Sequence, residues 1–415
     1  MSSPHGEVRT HRLRRMTGRD PHERHRVASP LELLYDLTLV VAFSLAGSQF
    51  AHALAEGHVR AGIAGFVVSM FAITLAWISF SWFSSAYDTD DVVMRIATLV
   101  QMVGVIVIAL GLHDVFEGFA HDEFDNAILV AGYVTMRVSM VGLWLRAAAH
   151  DPGHRSTALG HARLILVAQA GWVLTALDVL PVAVQLVLAA VLFATEIVGL
   201  VWVERGGASI PFHPHHIAER YGLLAIITLG EVVLGTTTAV EAIVADQGWS
   251  LDAVVIALAG LSLAFGLWWI YFAIPFGPAL EHRPSSRLGF GLGHMALFAS
   301  IAAIGAGLHV AAYYVEHHSE LDLPATVLTM AVPVGAFVVC LLAIYHHMLP
   351  GRDLLHLWLT VATVVVLVLA YALAAAHVSI AVCLLVLMLA PWVLVVGYEA
   401  SGHRRIADRL AEVSD

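Results

Sequence analysis

The chain has 415 residues, of which 59% are hydrophobic and 13% charged, with a formal net charge of −11. Soluble globular proteins carry roughly a quarter charged residues, so an ordinary soluble domain is excluded. The acidic balance also speaks against nucleic acid as a partner, because phosphate binding needs a basic face.

Met1 to Ser29 is polar and rich in Arg, His, Gly and Pro. It lacks the central apolar region of a cleavable signal and reads as a flexible basic cytoplasmic tail. Twelve apolar stretches follow, each near the 20 or so residues that cross about 30 Å of hydrocarbon. Those of the first half are Leu31–Ala53, Val59–Phe83, Val92–Leu112, Asn126–Ala149, Ala158–Leu177 and Leu180–Val203. Those of the second are His215–Val240, Leu251–Phe276, Leu288–Val315, Pro324–His347, Leu354–Ala375 and Val378–Tyr398. Only Asp178-Val179-Leu180-Pro181 separates the fifth from the sixth, so a re-entrant pair is an alternative there and the count is eleven or twelve. Residues 401–415 form a short second tail. Cys340 and Cys383 lie inside apolar runs and read as small packing residues, neither a disulfide framework nor a thiolate metal site. The fold class is therefore all-α, a polytopic membrane bundle.

The basic residues are all Arg, with no Lys, which we read as genome composition. Their placement orients the chain. The tail holds Arg9, Arg12, Arg14, Arg15, Arg19, Arg24 and Arg26, and every second connection continues the series with Arg95, Arg146, Arg155, Arg163, Arg205, Arg283, Arg287 and Arg352. The intervening loops are acidic, as at Asp114, Glu117, Asp122, Glu123 and Asp125, which would raise local cation concentration. Both termini are thus predicted cytoplasmic. The halves 30–203 and 204–400 also repeat features in order. Glu32 and Glu219 open the first and seventh helices. Trp77 and Trp82 match Trp268 and Trp269, Arg95 matches Arg287, and Gly111-Leu112-His113 matches Gly307-Leu308-His309. These matches predict a tandem duplication of a six-helix unit, parallel because six is even.

An ionisable side chain near mid-bilayer costs roughly 2.5–3.5 kcal/mol, so such groups face the bundle interior and have partners. Arg137 falls near the centre of the fourth span, Glu231 well inside the seventh, and Glu196 in the cytoplasmic third of the sixth. At 100° per residue Tyr133, Arg137, Met140 and Trp144 share one helix face, as do Arg220, Thr228, Glu231 and Gly235. Similar depth predicts that Arg137 pairs with Glu231, and Arg220 with Asp36 or Glu196. His294, in the ninth span, reads as a satisfied core histidine ahead of a proton relay. His317 and His318 with Glu316, Glu320, His113 and His121 read as solvated loop groups ahead of a metal site. No phosphate loop, zinc-protease motif or nucleophile elbow occurs, so neither an enzyme nor a cofactor is expected.

Glu32-Leu33-Leu34-Tyr35-Asp36-Leu37-Thr38-Leu39-Val40-Val41-Ala42-Phe43 resembles the opening motif of the bacterial low temperature requirement protein A (LtrA) family. Further matches are Trp77 through Trp82, Asp88-Thr89-Asp90-Asp91 before Arg95, and His216-Ile217-Ala218-Glu219-Arg220-Tyr221-Gly222-Leu223 running on to Glu231. Thr38 and Leu39 depart mildly from the expected Val and Phe. The resemblance implies a multi-pass protein of the bacterial inner membrane, a link to growth in the cold, and weight on Asp36, Arg95, Glu219, Arg220 and Glu231. A short likeness of Tyr35-Asp36 to the Phe-Ser-Asp motif of TMEM-type potassium channels covers that motif alone.

Two function classes stay open. One is a transporter or channel-like protein for an ion or small solute, its path lined by the first, fourth and seventh helices, with Arg137 and Glu231 central, Glu196 and Arg220 beside them, and Asp36 at the inner mouth. The other is a non-transporting membrane scaffold or cold-adaptation factor whose buried charges only hold helices together. The lipid bilayer is the one partner implied, and the oligomeric state is left open.

Overall fold

The computed structural model describes residues 13–20, 23, 26–177, 179–351 and 354–414, apart from the side chains at 407, 408 and 411–414. Arg9, Arg12, Arg24, Asp178 and Arg352 lie outside the described residues. No strand occurs among those described. Twelve helices are long and apolar enough to cross a bilayer: α1 Pro30–Ala55, α2 Val59–Tyr87, α3 Val92–Ala120, α4 Ala127–His150, α5 Pro152–Thr175, α6 Val182–Arg205, α7 Pro214–Gln247, α8 Leu251–His282, α9 Pro284–Val315, α10 Leu323–Met348, α11 Leu354–Ala375 and α12 Ile380–Ile406. The fifth and sixth stretches are two separate spans, which fixes the count at twelve.

Local chemistry sets the ends. At α1, Ser29 and Glu32 form a reciprocal capping box ahead of Pro30. The Ser29 amide donates to Glu32 Oε2 at 2.7 Å and the Glu32 amide to Ser29 Oγ at 3.3 Å, satisfying N–H groups that the helix leaves free. Asp91 caps α3 and Asp322 caps α10 through the same kind of bond to the third helical amide. α3 is interrupted at Gly111, where a Cβ would sit 2.5 Å from the Leu129 amide nitrogen. Glycine there lets α3 close onto the start of α4. Gly307 plays the same part between α9 and α10, since its Cβ would lie 2.6 Å from the Thr329 carbonyl.

Burial separates centre from rim. In α9, 78% of the most apolar stretch is buried and in α2 72%, whereas α11 buries 17% and α6 22%. α9 is therefore the axis of the bundle, packed on α7, α10, α1 and α2. Its small residues permit this. Gly305 would place a Cβ 2.7 Å from the backbone of Glu231 on α7, and Gly235 one 2.5 Å from the Gly305 carbonyl. Neighbours recur in order: α1 packs on α3, α3 on α4, α4 on α5 and α5 on α6, then α7 on α9, α9 on α10, α10 on α11 and α11 on α12.

Leu13 to Asp20, part of the stretch read as a tail, has no regular secondary structure and lies against the ends of α2 and α4. Backbone amides of this segment have found fixed acceptors. Arg14 donates to Asp91 at 3.0 Å, Met16 to His150 at 3.2 Å, Gly18 to Asp151 at 3.1 Å and Arg19 to the Ala86 carbonyl at 2.9 Å. The Met16 side chain is fully buried. Composition alone could not reveal this, because a polar segment with waiting acceptors reads like any other polar segment.

Candidate functional site

The buried charges gather at three places. The first is a nest where the N-terminal ends of α1 and α7 meet the C-terminal end of α2, centred on Arg220. Its guanidinium grips Asp36 side-on, Nε to Oδ2 at 3.1 Å and Nη2 to Oδ1 at 2.6 Å, and reaches Glu32 Oε1 from Nη1 at 2.9 Å. Trp77 Nε1 donates to Asp36 Oδ1 at 2.7 Å, and Ser84 Oγ to Glu32 Oε1 at 2.7 Å. His216 Nε2 lies 3.3 Å from Glu32, and Arg26 approaches the same carboxylate at 3.8 Å. Arg220, Asp36 and His216 are wholly buried. Two carboxylates and their cations leave water together here, which the full engagement of Arg220 and of both carboxylates makes tolerable, although Arg26 Nε and His216 Nδ1 have no partner. The capping box is part of the nest: Glu32 starts α1 with one oxygen and meets Ser84 and Arg220 with the other.

The second place lies between α4, α5 and α6. Arg137 Nη2 donates to Glu196 Oε2 at 3.0 Å, Tyr133 Oη to the same oxygen at 2.6 Å, and Trp172 Nε1 to Oε1 at 2.9 Å. The expected pairing of Arg137 with Glu231 is therefore corrected, and so is the alternative of Arg220 with Glu196. Depth alone suggested those pairs, but α6 packs against α5, which packs against α4, and that brings Glu196 to Arg137.

Glu231 is the third place. It is 2% exposed, beside Gly47 of α1 and Gly305 of α9. Among the described residues no Arg or His forms an ion pair with it.

The remaining motif residues are peripheral. Arg95 stays at the surface and pairs with Asp90 at 2.9 Å. Half-buried Glu219 accepts a bond from the Ala28 amide at 3.2 Å, clamping the segment that leads into α1. Arg146 forms a close ion pair with Asp91 and donates to the Arg14 carbonyl at 2.7 Å. Burial works against the Asp91 charge, but Arg146 and the Arg14 and Met94 amides outweigh it and hold the carboxyl well below the usual carboxylate range. Burial and the nearby Glu32 charge push Asp88 the other way, upward. His294 is a satisfied core residue, its two ring nitrogens 3.1 Å from Tyr271 Oη and 2.8 Å from the Phe290 carbonyl. At the opposite helix ends His318 meets Glu316 at 3.7 Å and His113 meets Gln49 at 3.5 Å. Among the described residues no group of three or more His, Cys, Asp or Glu is placed to hold a metal.

Sequence reasoning missed a further network. His161 Nε2 lies 2.6 Å from Glu204 Oε1, and Arg287 donates to Glu204 Oε2 at 3.2 Å. Arg287 had been counted as a loop charge. The depth of Glu204 at the end of α6, 5% exposed, was the available signal.

Residues 27–391 match the family described as bacterial low temperature requirement A protein (LtrA). Over 253 residues the chain is also 27% identical to the uncharacterized protein RA0937 of Rhizobium meliloti (strain 1021). That alignment takes in 59% of this chain and 58% of the relative, so it spans little more than half of either.

Proposed function

The chain belongs to the bacterial low temperature requirement A (LtrA) family and is a multi-pass membrane protein of twelve helices; from that premise we propose that it is a transporter or channel-like protein for an ion or small solute. It would sit in the bacterial inner membrane with both termini cytoplasmic, a reading supported by the alternation of Arg-rich and acidic loops. The recurring order of helix neighbours and the matched close approaches at Gly111 and Gly307 support a duplicated six-helix unit. We assign it no catalytic chemistry.

Glu231 carries this reading. A carboxyl inside a membrane helix is costly, and a purely structural one is offset by a cation, as Asp36 and Glu196 are. Glu231 has no cation paired with it among the described residues, a setting suited to taking up and releasing a proton or a small cation. It stands where α1, α7 and α9 meet at glycine-thinned contacts. The path therefore runs along α1, α7 and α9, in place of the α1, α4 and α7 lining expected from sequence. Eleven residues, about 16 Å of helix, separate Glu231 from Arg220, so the charge nest closes the inner end of that path.

Proton and potassium flux into proteoliposomes tests the proposal, comparing the native protein with Glu231→Gln. Flux above empty liposomes that vanishes in a folded variant is the expected result. No flux, with a variant that only loses thermal stability, returns Glu231 to a packing role. The engagement of every Arg220 nitrogen favours a second reading, a scaffold or cold-adaptation factor held together by buried charge.

A further inference from the structure

A cavity of about 50 Å³ lies between α2, α4, α5, α6 and α9, away from Glu231. Arg137 and Trp144 reach it from α4, His161 from α5, Glu196 and Glu204 from α6, and Arg287 from α9. Its remaining wall is largely Leu and Ile, including Leu164, Leu200 and Leu292.

The hydrogen-bonding groups around this cavity are lopsided. Both oxygens of Glu196 are taken, by Trp172 on one side and by Tyr133 and Arg137 on the other. Both oxygens of Glu204 are taken as well, by His161 and by Arg287 with Ser209. The donors are not used up. Arg137, 4% exposed, leaves Nε and Nη1 without an acceptor, and Trp144, 1% exposed, leaves Nε1 without one. Guanidinium and indole N–H groups can only donate, so no rotation or tautomer lets them satisfy one another. A buried donor without a partner costs about 1–3 kcal/mol, more for a charged group. What satisfies these groups must bring acceptors.

Size narrows the choice. One water needs on the order of 10–15 Å³ of such volume, so the cavity takes roughly three to five waters, or a solute of roughly four to six non-hydrogen atoms. A long acyl chain does not fit. Shape matters too, because Arg137 and Trp144 lie seven residues apart on one face of α4, about 10 Å along the helix. The Trp144 ring stacks on His161 at 4.2 Å, which leaves an apolar slot between two polar ends.

We propose that this cavity binds a small monocarboxylate, its oxygens on the free N–H groups of Arg137 and its short apolar body against Leu164, Leu200 and Leu292. Two arginines line the site and its carboxylates are already engaged, so a charge-assisted acceptor is preferred to a neutral carbonyl. Binding here does not require flux through Glu231, so the two ideas fail separately.

The test uses the full chain in nanodiscs, with titration calorimetry and thermal unfolding against acetate, propionate, butyrate, hexanoate and octanoate, and with butyramide as the neutral control. Saturable binding that peaks at three or four carbons is expected, with butyramide at least tenfold weaker. Leu200→Phe, which fills the slot and leaves every charge in place, should weaken butyrate at least tenfold. The double variant Arg137→Met with Glu196→Leu should do the same without stranding a buried charge, and it serves if Leu200→Phe does not fold. No saturable binding would mean that ordered water satisfies these donors and would overturn the site. Affinity climbing steadily through octanoate would point to an acyl chain entering from the bilayer and overturn the size argument. Equal binding of butyramide would overturn the role of charge.

Discussion

Arg220 and Arg137 are both guanidinium groups buried among membrane helices, yet their surroundings differ. Arg220 is held by two carboxylates, with Trp77 and Ser84 bonded to those same carboxylates. Arg137 gives one nitrogen to Glu196 and keeps two without an acceptor, beside a cavity. The first engages every nitrogen of Arg220 and joins α1 to α7, helices that are far apart in the chain. The second is incomplete and lies beside a cavity. Burial is nearly the same for the two arginines, so it does not distinguish a structural charge from a binding one. The arginine's own nitrogens left without an acceptor do, none for Arg220 and two for Arg137.

That contrast can be broken most directly by removing each arginine. Arg220→Gln strands Asp36 and Glu32 in the bundle, and loss of one partner of a buried pair costs about 3–5 kcal/mol. It should lower the unfolding midpoint in detergent sharply or abolish expression. Arg137→Gln should cost less, about 1–3 kcal/mol, because Tyr133 and Trp172 still serve Glu196. Equal losses in the two variants would erase the distinction. A milder probe is Trp77→Phe, which removes one bond to Asp36 and leaves Arg220 in place. Single hydrogen bonds between membrane helices average about 0.6 kcal/mol and reach about 1.7, so a small shift in denaturant midpoint is expected. A loss as large as that of Arg220→Gln would show that Trp77 positions the whole nest.

The smallest expected effect concerns the docked segment outside the spans. Asp91 has a folded pKa below its unfolded value, so it adds stability above about pH 4 that is lost as pH falls through the lower folded value. Amide protection at Arg14, Met16 and Gly18, corrected for intrinsic exchange, should therefore hold from neutrality to about pH 4 and then decay, while the spans stay protected. Protection lost between pH 7 and 5 would assign the docking to His150 or another group.

The twelve spans were legible because apolar length is a property of the chain read in one dimension, and even the short connection at 178–181 joins two full helices. The residues that would matter were legible too, since charge inside an apolar run is conspicuous. Their partners were not. Arg137 and Glu231 have similar depths but belong to helices that do not pack together closely, and no one-dimensional pattern orders twelve helices around α9. Asp36 with Arg220 was one of two options at the inner surface; Trp77 and Arg26 stood out only as motif and tail residues, and Ser84 not at all, because nothing in the sequence ties them to Asp36 or Glu32. Trp172 could have been found: an indole N–H buried in a membrane helix needs an acceptor, and Glu196 was the nearest candidate.

The nest also imposes an order on synthesis. Asp36 enters the membrane with α1, but Arg220 is 184 residues further along the chain. At roughly 5–20 residues per second, about 10 to 40 s pass before that arginine exists. Through that interval the first helix must keep two carboxyls near lipid without their cation, held protonated, drawn to the interface or shielded by the insertion machinery. Arrival of α7 then converts a loosely held first helix into a fixed one, so the oldest span of the protein is locked only when its seventh span brings residue 220.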